Sequence, residues 1–148
     1  MSAKNEGLKV ERWVKEVVGG RLTPASGAFH ASLDIRAVTR WGKEFLLEVK
    51  YTTKEAYKLS TGLWQKIKDR AEIRMMHPAL CIVFKTKFGK KPIIVIRKQD
   101  APADIKVDRE EEVKRENARL NLTPIDEIIL VKDWFDEDLI IMPLYLWK

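Results

Sequence analysis

Three side chains within residues 32 to 51, SLDIRAVTRWGKEFLLEVKY, have the types and spacing to do chemistry: Asp34, Glu48 and Lys50. Leu33, Ile35 and Ala37, then Phe45, Leu47 and Val49, alternate with polar neighbours at the period of two that marks half-buried strands. If Arg40, Trp41 and Gly42 make a three-residue hairpin loop with Gly42 left-handed, Thr39 pairs with Lys43 and Asp34 falls opposite Glu48. Ser32, Asp34, Glu48 and Lys50 then share one face. A two-residue loop is rejected by the core pattern, because a one-residue slip flips every side chain and would pair Leu47 and Val49 with the charged face. Directly opposed carboxylates sit with Cβ atoms roughly 4.5 to 5.5 Å apart and repel unless something positive lies between them. A divalent cation meets that need. The competing reading is an ordinary solvated face, since antiparallel hairpins commonly carry charge there.

The elements that must position these groups follow in order along the chain. Residues 8 to 18 read as a helix with Val10, Trp13, Val14 and Val17 as its apolar stripe and Gly19-Gly20 as its stop. Glu11 borders the stripe and could equally be a surface partner of Lys15. Residues 21 to 31 hold at most a short strand and then a loop containing Pro24, Ser26 and Gly27, small enough for a ligand to approach and equally suited to a plain turn. His30 stands apart from other metal-type residues. After the hairpin, YTTKEAYKLSTG reads as a polar, basic connection. It leads to a helix from about Leu63 to Met76, capped by Ser60 or Thr61, with Trp64, Ile67, Ala71 and Met75 facing inward. Lys54, Lys58, Lys66, Lys68, Arg70 and Arg74 gather in this connection and helix, as a nucleic-acid surface or as a solvated face. His77-Pro78 is expected to end the helix.

Ala79 to Phe84 has the continuous apolar character of a central strand. Lys85 to Pro92 reads as a basic turn and Ile93 to Ile96 as the next strand. An exposed helix is expected across Asp104 to Leu120, then two strands or a packed tail over Ile125 to Val131 and Leu139 to Trp147. The order predicts an α/β fold, a central mixed sheet flanked by helices. Residues 1–97 would form the core and 98–148 a C-terminal extension on the same domain.

A length of 148 residues suits one domain. The formal charge of +6 favours an anionic partner, nucleic acid first and an acidic membrane surface second. The single cysteine, Cys81, excludes an intrachain disulfide and a cysteine-based zinc cluster. The N-terminal residues MSAKNEG do not read as a signal peptide, and the apolar run from Leu139 to Trp147 falls short of the roughly 20 residues of a membrane span. A soluble, cytoplasmic protein is the expectation.

A helix carrying Glu11, a Ser-Gly loop, Asp34, then Glu48-Val49-Lys50 and a basic helix resemble, in order and spacing over residues 7 to 97, the PD-(D/E)xK nuclease superfamily and within it the archaeal and phage Holliday-junction resolvases. The superfamily's proline before the acidic residue is Leu33 here, and residues 98 to 148 fall outside the resemblance. It implies a restriction-endonuclease-like core and a metal-dependent endodeoxyribonuclease that introduces symmetric nicks in four-way DNA junctions as a homodimer. Mg²⁺, with Mn²⁺ as a substitute, would be held by Asp34, Glu48 and the Val49 carbonyl, with Glu11 nearby. Lys50 would orient the attacking water, and Ser26 would lie near the scissile phosphate. A recombination or restriction-type nuclease acting on linear DNA, and a non-catalytic DNA-binding module, are the alternatives.

Overall fold

The computed structural model describes residues 3–23, 34–113 and 119–147; of residues 3–5, 22, 23 and 34 only the backbone is described. Ser26, His30 and Ser32 lie outside the described residues. The chain opens with helix α1 (Ala3–Val18), which Gly19 closes at φ +66°, and continues into the short strand β1 (Arg21–Thr23). Next come β2 (Asp34–Val38) and β3 (Glu44–Thr52), joined by the expected three-residue loop: Thr39 donates its backbone N–H to Lys43 across 2.9 Å, and Gly42 adopts φ +83°. A side chain is strained at that φ, so glycine sets the loop type and the loop sets the register. Ile35 pairs with Leu47 and Ala37 with Phe45.

The connection after β3 contains a strand that the sequence reading did not anticipate, β4 (Tyr57–Ser60), followed by helix α2 (Thr61–Ile73). Ser60 caps α2 by accepting from the Leu63 N–H at 3.1 Å, and Trp64, Ile67 and Ala71 are its buried residues. The helix is shorter than expected. Met75 takes φ 58° beyond its end and is 93% exposed, so it is no part of the inward stripe. His77 and Pro78 do not terminate the helix but open β5 (His77–Thr86), which runs antiparallel to β6 (Gly89–Arg97). The basic stretch from Lys85 to Pro92 is therefore mostly strand, and only Lys87 and Phe88 form its turn.

Beyond a short 3-10 turn (Lys98–Asp100), the expected helix over 104–120 is absent from the described residues. In its place stand β7 (Arg109–Glu112) and β8 (Arg119–Leu122), followed by β9 (Ile129–Trp134), β10 (Glu137–Pro143) and a final 3-10 turn (Leu144–Trp147). Glu, Lys and Arg favour helix as isolated residues, but a helix needs an apolar face to pack, and Val107, Val113 and Leu120 do not make one. Pairing decides instead. Glu110 of β7 pairs with Lys132 of the parallel strand β9 at 3.1 Å, and Arg109 pairs with Glu127 and Glu111.

Among the described residues the strands form an eight-stranded mixed sheet, in the order β1-β2-β3-β5-β6-β10-β9-β7, and a separate ribbon, β4-β8. The pairs β3/β5 and β7/β9 are parallel and the others antiparallel. Strand alternation divides the core into two layers. Ala79, Cys81 and Val83 of β5 join Phe45, Leu47, Ile35 and the α1 stripe Val10, Val14 and Val18 on one face. Leu80, Ile82 and Phe84 join Trp64 and Ile67 of α2 and Leu59, Leu120 and Leu122 of the ribbon on the other. Each fully buried Leu, Ile or Phe contributes about 1.5 to 3 kcal/mol, and β5 is apolar throughout because both of its faces are covered.

Residues 98–148 thus complete the sheet begun by residues 1–97. Leu139 to Pro143 pair with β6 on one side and, through Leu139 to Ile141, with β9 on the other, so this apolar segment covers its own sheet. Trp147 then tilts against Phe45 with ring centroids 4.7 Å apart and meets Trp41 edge-on at 6.0 Å. Its carbonyl accepts from the Arg40 backbone N–H at 3.2 Å. The C-terminal turn clamps the hairpin loop on which the Asp34–Glu48 register depends.

Candidate active site

Glu48 lies mid-way along β3, on the face opposite the one that buries Phe45 and Leu47, and is 8% exposed. A carboxylate so placed needs charged or hydrogen-bonding partners. Arg70 of α2 supplies one, donating from Nη1 to Glu48 Oε2 at 2.8 Å. Lys50, two residues along the strand, brings Nζ to 3.4 Å from Glu48 Oε1. Lys66 and Arg70 stand four residues apart on α2, with Arg74 at its C-cap four residues further on, and the Arg70 contact turns its own flank toward β3. Lys68 belongs to the opposite flank. Its Nζ lies 2.8 Å from Glu137 Oε2, and Trp64 Nε1 donates to Glu137 Oε1 at 3.2 Å.

Continuing the β2/β3 pairing by one residue from Ile35 and Leu47 puts Asp34 in register with Glu48, as the loop chemistry predicts. Glu11 sits on α1, which packs against β2 and β3, and is 7% exposed, more enclosed than a surface partner of Lys15 would be. Val49 pairs with Cys81 of β5 and packs its side chain against the first core layer. The described side chains that the structure brings together are Glu48, Lys50 and Arg70, with Tyr57 close by. Burial, and secondarily the charge of Glu48, raise the Tyr57 phenol above its usual range. The two groups therefore sense each other.

Tyr57 opens a cavity of about 500 Å³ beside this centre, at the end of β3, lined also by Tyr51, Thr52, Lys54, Lys58 and Arg119. Lys54 and Lys58 were legible as basic residues of the connection. Arg119 was not, because nothing local ties β8 to β4; the available signal was the matching alternation of Tyr57 and Leu59 with Leu120 and Leu122, which pair in the ribbon.

Two other polar clusters are structural. Asp100, 1% exposed, accepts from Arg97 Nε at 2.7 Å and lies 3.0 Å from His77 Nδ1 and 3.7 Å from Lys43 Nζ, joining the hairpin loop, β5 and β6. Glu6 pairs with Lys85, whose ammonium also stands over the Tyr51 ring, 5.0 Å from its centroid. Cys81 is fully enclosed, and burial pushes its thiol far up, so it is no nucleophile.

Among the described residues no group of three or more His, Cys, Asp or Glu is placed to hold a metal ion. Hard carboxylate oxygens on opposed strands are a suitable donor set for Mg²⁺, and the two cations at Glu48 mark where positive charge is stabilised. No helix among the described residues is long and apolar enough to cross a membrane. A scan against protein-family models finds no match, and neither does a search of curated proteins.

Proposed function

We propose that this chain is a metal-dependent endodeoxyribonuclease of the PD-(D/E)xK kind, with a restriction-endonuclease-like core, acting on four-way DNA junctions as a homodimer. The observation that carries the reading is the placement of Lys50 beside a nearly buried Glu48 whose register partner is Asp34. Support for the fold comes from a β-hairpin feeding a strand parallel to β5, with a basic helix between the two.

Asp34, Glu48 and the Val49 carbonyl would hold Mg²⁺ or Mn²⁺, which when bound lowers the pKa of its water and offsets charge on the phosphate. Lys50 Nζ, 3.4 Å from Glu48 Oε1 on the same side of β3, would donate to the attacking water and orient it. Arg70 balances the carboxylate charge against an approaching phosphate. Glu11 and Ser26 stay with this proposal as a flanking carboxylate and a phosphate-side hydroxyl. A four-way junction has approximate two-fold symmetry and needs two matched nicks, while one chain supplies one Asp34, Glu48 and Lys50, so an isologous dimer provides the second set.

A specific observation favours a second reading. The Arg70–Glu48–Lys50 cluster also describes a charge network that satisfies a buried carboxylate in a non-catalytic DNA-binding module. The deciding experiment incubates the protein with Mg²⁺ and end-labelled four-way, Y-shaped, duplex and single-stranded DNA and maps the cuts. Paired symmetric nicks confined to the junction, lost in chelator and in Glu48→Gln, are the expected result. Cuts spread along linear duplex would indicate a recombination or restriction-type nuclease, and binding without cleavage in any divalent metal would leave the module.

A further inference from the structure

The β4-β8 ribbon arranges cations in a way that its packing does not require. Leu59, Leu120 and Leu122 point into the second core layer, so Lys58, Ser60, Arg119 and Asn121 must take the outer face. Lys58 pairs with Asn121 and Ser60 with Arg119, making Lys58 and Arg119 diagonal neighbours, about 7 to 8 Å apart. Lys54 joins them across the cavity from a turn in which its backbone N–H donates to Thr52 Oγ1 at 3.0 Å. None of these three cations has a carboxylate partner among the described residues, and Glu55 of the same loop does not line the cavity. Like charges held this close repel, at a cost that an anion removes. Helix α2 begins directly after Ser60 with no acidic residue in its first turn, so its positive end adds to the same field. Tyr51, Tyr57 and the Thr52 hydroxyl complete a wall with apolar faces and polar tips.

We propose that this cavity binds a backbone phosphate of a nucleic-acid strand, with Lys54, Lys58 and Arg119 as its ligands; the proposal rests on the nuclease reading only for the identity of the strand. Three convergent cations and about 500 Å³ suit one phosphodiester with its sugar and exceed what a bare monovalent anion needs. Tyr51 and Thr52, which line the cavity, continue β3 directly from Lys50, so a phosphate bound there would lie along the strand from the one proposed at Glu48 and Lys50 and would help to fix the strand's register. Residues 98–148 would thereby contribute Arg119 to substrate binding.

The test titrates the full chain, in chelator and at low salt, with inorganic phosphate, with thymidine 5′-monophosphate and with thymidine alone, following backbone amide shifts by NMR. Phosphate and the nucleotide are expected to shift Thr52, Lys54, Lys58 and Arg119 together, while thymidine leaves them in place. Arg119→Ala and Lys58→Ala should each weaken nucleotide binding about tenfold, the loss of one charge-assisted contact, and Lys106→Ala should not. Arg119→Lys, which keeps the charge, should retain most of the affinity and decides the matter if the alanine variant unfolds. Shifts scattered over the basic surface, an equal response to thymidine, or equal weakening by Lys106→Ala would overturn the proposal. Phosphate capture by a chain that cleaves no DNA would remove the nuclease and keep the subsite. Cleavage by a chain whose cavity ignores phosphate would remove the subsite alone.

Discussion

Arg70 Nη1 stands 2.8 Å from Glu48 Oε2, tying helix α2 to strand β3 across a sequence separation of 22 residues. The contact does two things at once. It satisfies a carboxylate that burial would otherwise penalise, and it holds a guanidinium beside the site where the proposal puts a cation and a phosphate. Removing it, as in Arg70→Ala, leaves Glu48 with Lys50 as its remaining described cation partner. Because Arg70 is itself partly exposed, the expected loss of stability is about 1 to 2 kcal/mol, below the 3 to 5 typical of fully buried pairs. Thermal unfolding measures it. Added Mg²⁺ should raise the melting temperature of this variant more than that of the wild type, and a metal-independent melting temperature in both would count against a cation at Glu48.

Lys50→Ala separates catalysis from binding. A group that orients water acts on the transition state, so the single-turnover cleavage rate should fall by roughly two orders of magnitude or more while junction affinity changes less than about threefold. An affinity loss that matched the rate loss would make Lys50 an ordinary phosphate contact.

The Tyr57 phenol is pushed above its usual range by burial and then by the Glu48 charge. A raised folded-state value favours the neutral phenol, so the associated stability is fully present below the ordinary tyrosine pKa and is lost as pH rises through the folded value. Ultraviolet titration of the phenolate, with Tyr57→Phe to assign it, should show this group ionising after an unperturbed tyrosine. In Glu48→Gln the same transition should move part of the way back toward lower pH. No movement would mean that the two groups are not coupled.

Electrostatic docking predicts a steep salt dependence. Each phosphate contact on duplex arms contributes about 0.9 to the slope of log affinity against log salt. The double variant Lys66→Ala, Arg74→Ala should therefore flatten the slope by up to about 1.8, whereas Lys68→Ala, whose ammonium is engaged by Glu137, should leave it nearly unchanged. Filter binding at several salt concentrations reads both.

A chain ending at Asp138 should fail to fold. The cut removes β10, which pairs with β6 and β9, together with Trp147, which packs on Phe45 and Trp41. Loss of the far-ultraviolet strand signal and of cooperative melting is expected. A stable, cooperatively folded truncation would show that the fold does not depend on β10 and Trp147.

The hairpin was legible because two independent local rules agree there. Period-two alternation and a glycine at the left-handed loop position both require the pairing that puts Asp34 in register with Glu48. The apolar strand at Ala79 to Phe84 was legible because burial on both faces leaves no room for polar residues. Legibility failed where pairing with distant segments decides. Arg109–Glu112 and Arg119–Leu122 have a helix former's composition or are too short to signal, and their partners lie elsewhere in the chain. The end of α2 was misread because Met75 accepts the left-handed conformation that a glycine would have advertised. Arg70 showed its charge but not its direction, since Lys66, Lys68, Arg70 and Arg74 look alike until α2 is docked.

The insertion of β10 between β6 and β9 also bears on how this protein is made. Until residues through Pro143 have left the ribosome, β6 presents an open edge of unpaired N–H and C=O groups beside the apolar run Ile93 to Ile96, and Trp147 has not yet clamped the hairpin loop. A nascent or interrupted chain therefore holds the hairpin that carries Glu48 without its Trp147 clamp and beside an unfinished sheet. Fragments that stop short of β10 are exposed-edge species, suited to misassembly and to proteolysis.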